Sequence, residues 1–288
     1  MMENILLATD LKTETNRALD RAVKLASRLS AKLHILHVCH LYSWGKKKKK
    51  SFSLKKDTEE MLKVLLSKDK DVKNIQTSIT IIEGGEIYGE ILKHAEKVNA
   101  GLIIMGMHNK KKFSDMFVGT TIERVIRKGV KPVLMVKDQA RNNYKTVLVG
   151  TDFSDGSRQA FRVAATLVPK AVFRLVHIYG YSPFDLRDHT AWYTEESMAK
   201  IANEKLEEFA QKNEKMLKHL DVEGENVYLE KVRGDTCPSL LSEVTKGKND
   251  LIAIGTHSHL TLMPNTLGGT AKAILSNPPC DVLIAKGL

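Results

Sequence analysis

The chain repeats itself, and that constrains its fold more than any other feature of the sequence. Asn4-Ile-Leu-Leu-Ala-Thr-Asp10 returns as Lys145-Thr-Val-Leu-Val-Gly-Thr-Asp152, and each copy passes from a short apolar run through Thr-Asp into a helical pattern. An apolar run carrying a histidine follows in both, Leu33–Val38 with His37 and Val172–Ile178 with His177. Gly101-Leu-Ile-Ile-Met-Gly-Met-His108 matches Asp250-Leu-Ile-Ala-Ile-Gly-Thr-His257, and Pro132-Val-Leu-Met-Val-Lys137 matches Asp281-Val-Leu-Ile-Ala-Lys286. The matches keep their order across both halves, so whatever one half folds into, the other must fold into as well. A length of 288 residues suits two domains of ordinary size.

Each half alternates short apolar runs with amphipathic stretches. Ala18, Ala22, Leu25, Ala26 and Leu29 share one helical face, as do Ala160, Val163, Ala164, Leu167 and Val168 in the second copy, with Pro169 as its stop. The apolar runs show little alternation, as strands buried on both faces do. The pattern is βαβαβαβαβ, which predicts an α/β fold of two tandem domains, each an open five-stranded parallel sheet with helices on both faces. The polar, aperiodic stretch Asp138–Tyr144 separates them, giving domains 1–138 and 144–288. The segments after the second strand of each copy, His40–Lys56 and Gly180–Thr194, read as long loops. The latter leads into a helix with Leu206, Phe209, Ala210, Met216, Leu217 and Leu220 on one face.

Composition narrows the function classes. With 42% hydrophobic and 27% charged residues the chain is of the globular kind, and no apolar run approaches membrane length. The first residues enter a strand directly, and Cys39, Cys237 and Cys280 form no CxxC pair or metal-ligand spacing, which together predict a cytoplasmic protein. The net charge of +11 owes much to Lys46–Lys50, a block that reads as a solvated loop. No aromatic residues interleave with the basic ones, which argues against nucleic acid. His257-Ser-His259 has no third ligand close by, so no metal site is expected.

In an open parallel sheet, ligands bind beyond the carboxyl ends of the strands, where the strand order reverses. The candidates are therefore Thr9, Asp10, Thr151 and Asp152 after the first strand and Val38 and Ile178 after the second. After the fourth come Met105, Gly106, His108 and Asn109, matched by Ile254, Gly255, His257 and Ser258. Gly119-Thr120-Thr121 and Gly268-Gly269-Thr270 then open the next helix, where free N–H groups and the positive dipole end suit phosphate. Structural roles compete with each of these. Thr120-x-x-Glu123 is a capping box, the Thr-Asp pairs suit turns, and His37 and His177 read as hydrogen-bonded core residues. No Walker motif, GxGxxG or GxSxG follows a strand, so no catalytic residue is assigned.

Thr-Asp after the first strand, Gly-x-His after the fourth and Gly-Thr about ten residues on resemble the universal stress protein family over essentially the whole of both halves. The resemblance implies a Rossmann-like sheet of the adenine nucleotide alpha hydrolase type. It implies ATP or a close relative as ligand, with Mg²⁺ carried on the phosphates. The aspartate and the second-strand residue would sit at the base and ribose, and the glycine segment at the phosphates. It also implies an intramolecular pseudo-dimer of the two domains, with further homodimerisation open, and a stress-response regulator without efficient turnover. Asn109 and Ser258 stand where the family signature has its second glycine, and Gly269 where it has Ser or Thr. These departures favour a rival reading, a scaffold whose nucleotide sites have decayed. The first half is the nearer match.

Overall fold

Contacts within the computed structural model divide the chain into two units, Met1–Asn143 and Tyr144–Leu288. The structure describes residues 2–11, 16–39, 49–67, 70–107, 120–140, 142–180, 194–256 and 267–287, with the backbone alone at 16, 49–55, 67 and 70.

The first unit runs β1 (Asn4–Thr9), α1 (Asn16–Leu29), β2 (Lys32–Cys39), α2 (Lys49–Ser67), β3 (Thr77–Glu83), α3 (Ile87–Lys97), β4 (Leu102–Gly106), α4 (Thr121–Lys128) and β5 (Val133–Val136). Its strands are parallel in the order β3-β2-β1-β4-β5. The second unit repeats this with β6 (Thr146–Gly150), α5 (Asp155–Leu167), β7 (Val172–Tyr179), α6 (Glu195–His219), β8 (Val227–Arg233), α7 (Thr236–Lys246), β9 (Leu251–Gly255), α8 (Gly269–Ser276) and β10 (Asp281–Ala285). Its order is β8-β7-β6-β9-β10, again parallel. Right-handed crossovers that step outward and then return past the start place successive helix pairs on opposite faces of each sheet. The order reverses between β1 and β4 and between β6 and β9, so each unit has its crevice there.

The unalternating apolar runs are the buried central strands. Ile5, Leu6, Leu7, Leu102, Ile103 and Ile104 have no exposed surface, nor do Val147, Leu148, Val149, Leu251 and Ile252. The two cores differ in kind. Phe161 and Phe173 lie 5.6 Å apart edge to face, and Phe161 stacks on Phe209 at 6.4 Å. Phe153 meets Phe209 at 5.9 Å. The places of Phe153, Phe161 and Phe173 are taken by Leu11, Leu19 and Leu33 in the first half.

The expected loop over His40–Lys56 is partly helical, because α2 begins at Lys49. A cationic first turn opposes the helix dipole. The helix is instead held by its far end, where Leu62 and Leu66 are buried and Glu59 pairs with Lys63 at 2.7 Å. The part of the Lys46–Lys50 run before Lys49, and residues 181–193 of the second long loop, lie outside the described residues. α5 ends at Leu167, two residues before Pro169. α6 buries Leu206, Phe209 and Leu217 of its predicted face together with Asn213, whose Nδ2 donates to the Phe209 carbonyl at 2.7 Å.

Two arginines of α1 reach the end of the first unit, Arg17 donating to the Lys137 carbonyl and Arg21 to that of Asn142, both at 2.9 Å. The second unit is closed on itself by the Tyr144 hydroxyl, which donates to the fully buried carboxylate of Asp281 at 2.5 Å.

Candidate functional site

The exit of the first strand is built the same way in both halves. Thr9 Oγ1 accepts from the Leu11 N–H at 3.1 Å, and Thr151 Oγ1 from the Phe153 N–H at 3.0 Å. The accepting threonine bends the chain so that Leu11 and Phe153 take left-handed backbone, with φ of 63° and 67°. Non-glycine residues rarely adopt that conformation, so its recurrence marks a turn fixed by its surroundings. A histidine of the neighbouring strand completes the arrangement. His37 Nδ1 donates to the Thr9 carbonyl at 2.9 Å and His177 Nδ1 to the Thr151 carbonyl at 2.8 Å. The turn presents Asp10 and Asp152 at the strand ends.

His37 and His177 are therefore hydrogen-bonded as expected, but at the rim of the crevice and not in the core. The bond to the carbonyl requires the ring proton on Nδ1, which fixes the orientation of each imidazole. The sequence shows only that each histidine recurs at the same place in its copy; the threonine opposite it comes from strand pairing. His177 is further covered by the Phe153 ring at 4.4 Å. Burial holds its pKa below the ordinary imidazole value, with Lys205 acting the same way and the Thr151 carbonyl and Asp152 opposing.

In the second half Asp152 is engaged locally. Its Oδ1 accepts from the Ser154 N–H at 3.1 Å and the Ser154 hydroxyl at 2.5 Å. Ser154 in turn caps α5 by accepting from the Ser157 N–H at 3.2 Å, and the Ser157 hydroxyl lies 3.1 Å from that of Thr151. Beside this cluster opens a cleft of about 240 Å³, lined by Asp152, Phe153 and Arg158 together with Lys205, Glu208, Phe209 and Lys212 of α6. Two of its cations are matched by acids, Arg158 with Asp155 at 3.1 Å and Lys212 with Glu208 at 2.5 Å. Besides Asp152, only Phe209 of this lining was named from the sequence, as part of a helical face, because only the tertiary fold brings α6 to this strand end.

The remaining candidates divide between backbone and side-chain roles. Val38 and Ile178 are half-buried near the ends of β2 and β7. Met105 and Ile254 are 6% and 4% exposed, so their side chains belong to the core. A side chain on Gly255 would place Cβ 2.8 Å from the backbone of Gly156 and Ser157, so glycine here lets the start of α5 close on the end of β9. Gly106 closes β4 at the matching place. His108, Asn109, Gly119, His257 and Ser258 lie outside the described residues.

The helix starts differ. Thr120 caps α4, its Oγ1 accepting from the Glu123 N–H at 3.2 Å, with Thr121 as the first helical residue. α8 begins at Gly269 with Gly268 as its cap residue and no side-chain cap, and Thr270 sits in its first turn. The Gly268 N–H donates to the Thr256 carbonyl at 2.8 Å, tying the helix start back to the exit of β9. Among the described residues nothing lies within 4 Å of where a Cβ on Gly269 would stand. Among the described residues no three His, Cys, Asp or Glu side chains are grouped to hold a metal, and no helix is long and apolar enough to cross a membrane.

Comparison with known proteins returns one family twice. The model of the universal stress protein family matches residues 1–137 and again 143–286. A universal stress protein of Methanocaldococcus jannaschii is 28% identical over 148 residues, covering 50% of this chain and 84% of that protein. The universal stress protein YxiE of Bacillus subtilis is 29% identical over 154 residues, 48% of this chain and the whole of that protein. Among solved structures, a universal stress protein from Archaeoglobus fulgidus superposes with a TM-score of 0.72 at 20% identity, covering 100% of this chain and 97% of that one.

Proposed function

The chain belongs to the universal stress protein family, as a tandem of two family domains, and from that premise we propose that it is a stress-response regulator binding ATP or a close relative in at least one half, without efficient turnover. The observation that carries the reading is the duplicated turn at the switch point. Thr9 and His37, and again Thr151 and His177, hold an aspartate-bearing strand exit in one fixed shape. Mere chain reversal does not require a histidine of the neighbouring strand bonded to the carbonyl of that turn. Asp10 and Val38 would meet the base and ribose. The backbone around Gly106 and the Gly119–Thr121 segment would take the phosphates, with Mg²⁺ carried on them to neutralise their charge. In the second half Asp152, Ile178, Gly255 and Gly268–Thr270 correspond, and the uncapped start of α8, with none of the described residues crowding Gly269, is compatible with a phosphate.

The first half is the better site. Asp152 already accepts two hydrogen bonds from Ser154, and a base would have to displace them. The first half also keeps a threonine, Thr120, where the second has Gly269. The same engagement favours a second reading for the second half, a nucleotide site turned into a structural cap within a scaffold.

Calorimetric titration of Mg-ATP into the full chain tests both. Saturable binding abolished by Asp10→Ala and by Gly119→Asp, and unchanged in Asp152→Ala, is the expected result. Absence of binding at millimolar ATP in the unaltered chain overturns the nucleotide reading and leaves the scaffold.

A further inference from the structure

The two halves secure the same helix to the same strand by opposite chemistry. In the second half Arg174 of β7 makes a fork with Glu230 of β8 at 2.7 and 2.5 Å. It also reaches Glu243 of α7, bonding the carboxylate at 3.1 Å and the backbone carbonyl at 3.0 Å. The bond to Glu230 above all holds Arg174 above its ordinary pKa, and bonds from Lys246 and then Arg174 hold Glu243 below its own, so neither changes charge near neutrality. In the first half the places of Arg174 and Glu243 fall to His34 of β2 and His94 of α3. α3 packs on β2 as α7 packs on β7.

His34 and His94 are 8% and 7% exposed. His34 donates from Nε2 to Asn4 Oδ1 at 3.1 Å, which leaves Nδ1 to accept from the Ser78 hydroxyl at 2.8 Å. That arrangement belongs to the neutral ring. His94 Nε2 is buried and has no hydrogen-bond partner among the described residues. The charged groups acting on the pair are cations, Lys32 beside His34 and Lys97 beside His94, and each histidine would add to them on protonation. The neighbouring elements provide little relief. β1 offers the Asn4 amide and β3 the Ser78 hydroxyl, while Glu90 of α3 is paired with Lys93 at 2.8 Å. On α4, which packs against α3, the buried Glu123 lies 3.9 Å from Arg127.

We propose that His34 and His94 form a proton-sensitive latch for α3, closed when both rings are neutral and released when they charge, while the Arg174–Glu243 clasp keeps the matching helix of the second half indifferent to acid. A second imidazolium in a buried site that already holds one, flanked by two lysines and with no carboxylate paired to either ring among the described residues, opposes packing of the strand against the helix. The direction is set by linkage. Burial holds both imidazoles below their ordinary value, so the unfolded or opened state binds protons more readily. Stability from the pair is complete above about pH 6.5 and is lost as pH falls through the folded-state values. Each unit of depression is worth about tenfold in the opening equilibrium for each ring.

Hydrogen–deuterium exchange on the full chain, corrected for intrinsic rates, reads both helices in one sample. Between about pH 7.5 and about pH 5.5, on either side of the ordinary imidazole value, protection of the 87–97 segment falls on the order of tenfold or more. Protection of 236–246 holds. Carrying the clasp across, as His34→Arg with His94→Glu, flattens the response of 87–97, and His94→Gln alone reduces it. Equal loss in both segments of the unaltered chain, or a response of 87–97 that survives His94→Gln, overturns the latch.

Discussion

The two halves share a strand order and a turn, yet they are held together differently. The second is the more heavily fastened: a ladder of aromatic rings runs from Phe153 through Phe209 and Phe161 to Phe173, and an arginine bridges two carboxylates. The first has leucines at three of those ring positions and a histidine pair at the ion-pair position. Duplication thus left one copy with its crevice aspartate bound into a cap and its helices clasped by charge. The other copy has leucine side chains and a pair of histidines in those places. Binding and local opening are both drawn from the less stable parts of a fold, so this division suits a regulator in which one half responds and the other endures.

Substitutions can break or sharpen this contrast, and they rank by expected size. Arg174→Met leaves Glu230 without its arginine and Glu243 with Lys246 alone. Glu230 retains some solvent, so the cost is about 2–3 kcal/mol, below that of a fully buried pair. Denaturant unfolding should show it as a lower midpoint for the 236–246 segment, with the first unit unmoved. Gly255→Ala drives a methyl against the backbone of Gly156 and Ser157 and should cost about 2 kcal/mol, read as a lower melting temperature. Thr120→Ala removes the cap of α4 at about 1 kcal/mol, visible as faster amide exchange over 121–124. Gly268→Ser gives α8 the cap it lacks and should add only a few tenths of a kcal/mol. If Gly268→Ser stabilises the second half by as much as Thr120→Ala weakens the first, the difference between the two helix starts is one of capping alone.

Much of the fold was legible because the repeat supplied the test: a run read as a strand in one copy had to be a strand in the other. The unalternating apolar runs became the central strands, and Pro169 stood just past the end of α5. The Thr-Asp pairs were read as turns or as sites, and the structure makes them turns in both halves. What escaped were relations between distant segments. Nothing near His37 in sequence says that it will bond the carbonyl of Thr9, because that bond exists only once β1 and β2 lie side by side. His34 opposite His94 was hidden for the same reason. α2 was shortened because a lysine run at a helix start contradicts local electrostatics. Only burial of Leu62 and Leu66, a tertiary fact, outweighs it.

The hydrogen bond between Tyr144 and Asp281 spans nearly the whole second unit, from its first residue to its last strand. A ribosome delivers the chain in order, and domains generally fold as units as they emerge. The first unit contains all its own strands by Val136 and can close while the second is still being made. The bond from Tyr144 to Asp281 cannot form until β10 has been synthesised, so it is among the last contacts this unit makes. Completion of this unit is therefore an event of late translation, and a chain stalled before Asp281 carries a finished first half and an unclosed second one.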